Sequence, residues 1–112
     1  MCEHLRAVFA HALPDAEGKI WHRHPVWFIG GNPIVGYHRL KDGVRVLFWS
    51  GQSFPTPGLI PTGSFQAAEF WPTSLEHIDS SDLMSWLRDS QTVQWDYEHI
   101  QKNRGLVKRT SF

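Results

Sequence analysis

An α+β fold, with an antiparallel sheet of about five strands and helices from both ends of the chain forming a second layer over it, is predicted by three observations. A helical apolar repeat opens the chain, a strand-rich stretch broken by turn signals fills its middle, and a second helical repeat closes it. The 112 residues contain no internal repeat, low-complexity segment or linker, so they read as one domain, 1–112.

Leu5, Val8, Phe9 and Leu13 recur at helical spacing among Ala7, Ala10 and Ala12, predicting an amphipathic helix over 2–13 that Pro14 ends. Between residues 19 and 49 Trp, Phe, Val and Ile dominate, and Gly30-Gly31-Asn32 and Lys41-Asp42-Gly43 supply turns, so three or four strands are expected. Asp-Gly accepts the positive backbone angles of tight hairpins and joins strand 34–40 to strand 44–49. Residues 51–63 hold three prolines and three glycines, which predicts a long loop; its Phe54, Leu59 and Ile60 mark it as packing over something. A strand over 65–71 and an extended piece at 75–78 follow. Asp79-Ser80-Ser81-Asp82 then offers caps for a closing helical region. There Leu83, Trp86, Leu87, Val93, Tyr97 and Ile100 recur every three or four residues, with a break near Ser90-Gln91-Thr92 and a stop at Gly105. Trp86 is assigned to the core, and a flexible basic tail is expected from about residue 105.

The strand 44–49 sets Val44, Val46 and Phe48 against Arg45, Leu47 and Trp49, and Val26-Trp27-Phe28-Ile29 is apolar throughout, so both faces of the sheet carry large apolar groups. Three covers suit the second face: the 51–63 loop, a second copy of the chain in a homodimer, or a ligand. The six tryptophans bear on this choice, because indoles serve as core, as pocket walls and as interface anchors. An aromatic surface of Trp21, Trp27, Tyr37, Trp49 and Phe54 beneath the 51–63 loop is expected, and with His24 and Phe28 it forms the candidate ligand-binding set.

Eleven basic residues balance eleven acidic ones, which argues against a nucleic acid partner, since that affinity comes from concentrated Lys and Arg. The single cysteine, Cys2, rules out a disulfide within the chain. No apolar run reaches membrane-spanning length and the first residues lack a charged-then-apolar leader, so a cytoplasmic location without membrane attachment is expected. His22 and His24 stand two apart on one strand face, near enough to share iron or zinc with a carboxylate such as Glu17, although no motif supplies further ligands. Ser50 and Ser53 lie in Ser50-Gly51-Gln52-Ser53-Phe54-Pro55, which lacks the closing glycine and helix of a nucleophile elbow. No nucleophile, base and orienting group line up, and a non-enzymatic binding or interaction domain is the leading expectation, for an unidentified small molecule or protein.

The segment from Leu13 to Phe28, with Glu17, Trp21, His24-Pro25 and Phe28, resembles the YdhG-like family of domains of unknown function. The resemblance continues through Leu47-Phe48-Trp49-Ser50-Gly51, Pro57-Gly58-Leu59 and Gly63 into the closing helix, roughly residues 5–105. It implies a frataxin-like α+β sandwich, and some relatives are described as intracellular iron chaperones that hold iron on clustered surface carboxylates. The alternative expectation is therefore an iron or other metal carrier. The acids here are scattered instead, with Glu3 alone on the first helix.

Overall fold

Leu5, Phe9 and Leu13 are four apart and almost fully buried, which fixes the inner face of the first helix, α1 (Cys2–Ala12). The computed structural model describes residues 2–21, 23–41, 43–62, 66–78, 81–95 and 97. After α1 come β1 (Glu17–Trp21), β2 (His24–Ile29), β3 (Asn32–Leu40) and β4 (Gly43–Phe48), an antiparallel meander. Its turns follow local chemistry. Gly30 and Gly31 take φ of 54° and 82°, the positive angles that a two-residue hairpin between right-twisted strands requires. Between β3 and β4 the register pairs Leu40 with Gly43, so the connection is two residues long and Gly43 already belongs to the strand.

The sheet order is β1-β2-β3-β4-β6-β5, with β5 (Ile60–Pro61) and β6 (Ala68–Phe70) completing six strands rather than about five. The sixth comes from the proline-rich loop. Its first residues form a 3-10 turn, Gly51–Ser53, and Ile60–Pro61 pairs with β6 at the sheet edge, a position where a proline without an N–H is tolerated. Of the strand expected over 65–71, β6 keeps Ala68–Phe70; residue 65 lies outside the described residues.

Residues 75–78 are helical, α2 (Leu75–Ile78), not extended. Ser74 Oγ accepts the N–H of His77 at 3.2 Å, and Thr73 donates its N–H to His77 Nδ1 at 3.2 Å, so a local cap closes the turn. The last helix, α3 (Ser81–Thr92), ends where the Ser90-Gln91-Thr92 break was expected. Tyr97 therefore does not continue a helical stripe. The expected stop at Gly105, Ile100 and the basic tail fall outside the described residues. No helix among the described residues is long and apolar enough to cross a membrane.

Both long helices cover one face of the sheet. Phe9 meets Trp27 edge-on at 5.0 Å and Tyr37 at 5.9 Å, while Trp86 of α3 packs on Phe48 at 6.3 Å and Phe70 at 5.0 Å. With Val35, Val44, Val46, Leu83 and Leu87 these residues form the core. The proline-rich loop joins the same side: Phe54 lies 5.5 Å from Phe48, and Trp86 Nε1 donates to the carbonyls of Thr56 and Pro57 at 3.3 and 3.2 Å. Asp89 Oδ2 accepts the Thr56 N–H at 3.3 Å. The loop is thus tied to α3, and of the three covers considered for the second face it is not the one used.

Past α3 the chain crosses back to the sheet on a polar staple. Asn32, fully buried, donates from Nδ2 to Gln94 Oε1 and to the Trp95 carbonyl, both at 3.0 Å, and its Oδ1 accepts the Tyr97 N–H at 2.9 Å. Asn32→Ala should lower stability by about 2–3 kcal/mol, because it removes three hydrogen bonds made by a fully buried amide. Urea unfolding followed by circular dichroism measures this.

Candidate functional site

Strand alternation sends Val35, Tyr37, Val46 and Phe48 toward the helices and their neighbours to the opposite, outer face. Pairing then brings outer-face residues from four strands together. Trp21 is opposite His24, Val26 opposite Gly36, Gly36 opposite Leu47, and His38 opposite Arg45. Trp49, just past β4, donates its N–H to the Ile34 carbonyl at 3.1 Å and stands beside this group. The result is an open cleft of about 370 Å³, mouth included, lined by Trp21, His24, Val26, His38, Arg45 and Leu47 around Gly36 and Trp49.

Gly36 makes the floor. A Cβ there would sit 2.7 Å from the Pro25 carbonyl oxygen, 3.1 Å from Val26 Cγ2 and 3.4 Å from Trp49 Cζ3, so any side chain would collide with backbone and take up the space under the indole. Val26 is buried to 2% exposure on a face that no helix covers, because aromatic rings shield it. The walls are two tilted indoles, Trp21 and Trp49, 6.1 Å apart with planes at 40°. Trp21 leans edge-on against Phe28 at 5.6 Å, and Lys19 Nζ lies 4.5 Å over the Phe28 ring. At the other end the His24 and His38 imidazoles stack at 3.7 Å.

Arg45 is the cation of the cleft. Its Nη1 lies 3.6 Å from Glu69 Oε2 of β6, and its Nε is buried with no hydrogen-bond partner among the described residues. A guanidinium has five N–H donors, so this pair leaves donors over. No carboxylate lines the cleft itself among the described residues.

The Trp49 wall is fixed from behind. Tyr97 Oη donates to the Trp49 carbonyl at 2.5 Å and accepts the Gln66 N–H at 3.2 Å. Ser50 Oγ accepts the Trp95 N–H at 2.9 Å, and Trp95 Nε1 donates to Ser53 Oγ at 2.9 Å. Burial holds the Tyr97 phenol above its ordinary value of 10.0, opposed by the Gln66 amide.

Of the aromatic set expected from sequence, Trp21, His24, Phe28 and Trp49 lie on the outer face. Trp27, Tyr37 and Phe54 pack their rings on the helix side, because register and the loop's attachment to α3 turn them inward. Val26, Gly36, His38, Arg45 and Leu47 were not among the expected site residues; the hairpin register, with a two-residue connection, is the signal that pairs His38 with Arg45. For the expected metal set, His22 lies outside the described residues. Glu17 is four residues from Trp21 along β1, roughly 13 Å at strand rise, so the sheet does not bring it to His24. Among the described residues no group of three or more His, Cys, Asp or Glu is placed to share an ion.

A wider groove between α1 and β1 is lined by Arg6, Ala10, Lys19 and Ile20 among others, and Trp27 and Tyr37 of the expected set also border it. The chain matches no protein-family model, and neither a curated protein nor a solved structure is significantly similar to it.

Two tryptophans separate the core from the cleft. Trp27→Ala should destabilise by about 3–5 kcal/mol, whereas Trp21→Ala, at the rim, should cost about 1 kcal/mol or less; chemical denaturation of both variants checks this. Tyr97 supplies a pH test. Its raised folded-state value means that above pH 10.0 the unfolded chain loses a proton that the folded chain keeps. The associated stability is complete below that pH and is lost as pH rises through the raised value. Tyr97→Phe should be less stable at neutral pH and should show a shallower fall in melting temperature across this alkaline window.

Proposed function

We propose that this chain is a non-enzymatic binding domain that holds a small molecule on the outer face of its sheet, in the cleft around Gly36. One observation carries the reading: rings from three strands and the end of β4 line one recess, on a face that neither helix nor loop covers among the described residues. Gly36 lets the Pro25 backbone, Val26 and the Trp49 indole close on the strand, and the Trp21 and Trp49 indoles beside it support a recess with aromatic walls. The lining offers imidazoles, a guanidinium and apolar surface, and among the described residues its one hydroxyl is the Tyr37 phenol, whose ring packs toward α1.

The frame we assign to this domain is YdhG-like and frataxin-like. Helices before and after an antiparallel meander, both on one face, support that assignment, as do Glu17, Trp21, Pro25 and Phe28 in the segment that carries the resemblance. A cytoplasmic setting belongs to the same proposal.

Native mass spectrometry of protein purified without added metal tests the reading. Retention of an organic mass that Trp21→Ala loses while staying folded is the expected result. A dimer that Trp21→Ala converts to monomer would transfer the cleft to subunit contact, and a retained iron or zinc mass would favour the metal carrier.

A further inference from the structure

Resting on the cleft reading, we infer that the occupant is a small planar aromatic carboxylate, its ring against the Trp49 and Trp21 indoles and its carboxylate on Arg45. The walls select the ring. Two indole faces tilted by 40° over a floor of Gly36, Val26 and Leu47 form a wedge, which fits a thin flat group better than a puckered aliphatic one.

Charge selects the carboxylate. The lining carries one guanidinium and two imidazoles and no acid among the described residues. Arg45 meets Glu69 through one nitrogen at 3.6 Å, longer than a charge-assisted hydrogen bond, and its buried Nε has no partner among the described residues. The one long contact to Glu69 leaves guanidinium donors over, and a planar carboxylate is the anion whose shape matches a guanidinium fork. Spacing agrees: Arg45 and His38 form the pair two residues along from Gly36 and Leu47, roughly 7 Å at strand rise. The flexible Arg45 side chain spans that distance and can bring its guanidinium to a carboxylate carried on a ring at the indole walls.

Benzoate, benzamide and cyclohexanecarboxylate separate the two demands. Each is titrated into uniformly 15N-labelled protein while the indole N–H resonances of Trp21 and Trp49, assigned with Trp21→Phe and Trp49→Phe, are followed. Benzoate should shift both indoles saturably in the millimolar range, with neutral benzamide and non-planar cyclohexanecarboxylate at least about ten-fold weaker. Arg45→Gln should weaken benzoate by about five-fold or more without changing benzamide, and Arg45→Lys, which keeps charge but not the planar fork, should fall between. Benzamide or cyclohexanecarboxylate binding as tightly as benzoate, or benzoate unaffected by Arg45→Gln and Arg45→Lys in folded protein, would overturn the assignment while leaving the cleft as a small-molecule site. Unmoved indoles with all three probes would overturn the assignment and remove the support for the cleft as a small-molecule site with it.

Discussion

The buried amide of Asn32 is the constraint on which both layers of this fold depend. It stands at the start of β3 and bonds the segment leaving α3 through Gln94, Trp95 and Tyr97. A buried amide must have its donors and its acceptor matched, so the position of this segment is specified by direction as well as by packing. The same segment reaches the end of β4, where Tyr97 holds the Trp49 carbonyl and Trp95 meets Ser50 and Ser53. One polar staple therefore links the helix layer to a wall of the outer-face cleft.

The second determinant is the division of a largely apolar sheet into two unlike faces. On the helix side Phe9, Trp27, Tyr37, Phe48 and Trp86 interlock edge-to-face, a geometry that suits ring quadrupoles in a closed core. On the outer side the rings cover one another and Val26 but leave a recess between Trp21, Trp49, Leu47 and Arg45. The proline-rich loop decides this asymmetry. Its backbone carbonyls satisfy the Trp86 indole N–H and its Phe54 packs on Phe48, which commits it to the helix side. A large buried indole needs a partner for its one donor, and the loop supplies it.

The chemistry of the recess follows from register. Antiparallel pairing puts the His38 imidazole across from Arg45 and stacks it on His24 from the neighbouring strand, so three basic groups collect at one end of an apolar floor. Glu69 restrains Arg45 from the adjacent strand without lining the cleft. Polar groups converging at one end of an aromatic recess are the usual arrangement of a site that orients what it holds.

Local signals made much of this legible. The four-residue spacing of Leu5, Phe9 and Leu13 specified α1, Gly30-Gly31 and the Asp42-Gly43 pair specified two hairpins, and the alternation in 44–49 revealed a sheet apolar on both faces. Trp86 was recognisable as core from its helical stripe. The local cap at α2 was missed, and where contacts between distant residues compete with local pattern the reading failed: the departure of Tyr97 from helix and the inward turn of Trp27, Tyr37 and Phe54. By itself the sequence determined the element types, the hairpins and the excess of aromatic groups over what one core needs, because periodicity and turn chemistry act within a few residues. Only the tertiary structure decided which face each ring occupies, which side the loop covers, and that His24, His38 and Arg45 meet. Those outcomes depend on strand register and on hydrogen bonds between residues far apart in the chain, such as that from the Tyr97 N–H to Asn32 across 65 residues, and a one-residue slip would reverse every face.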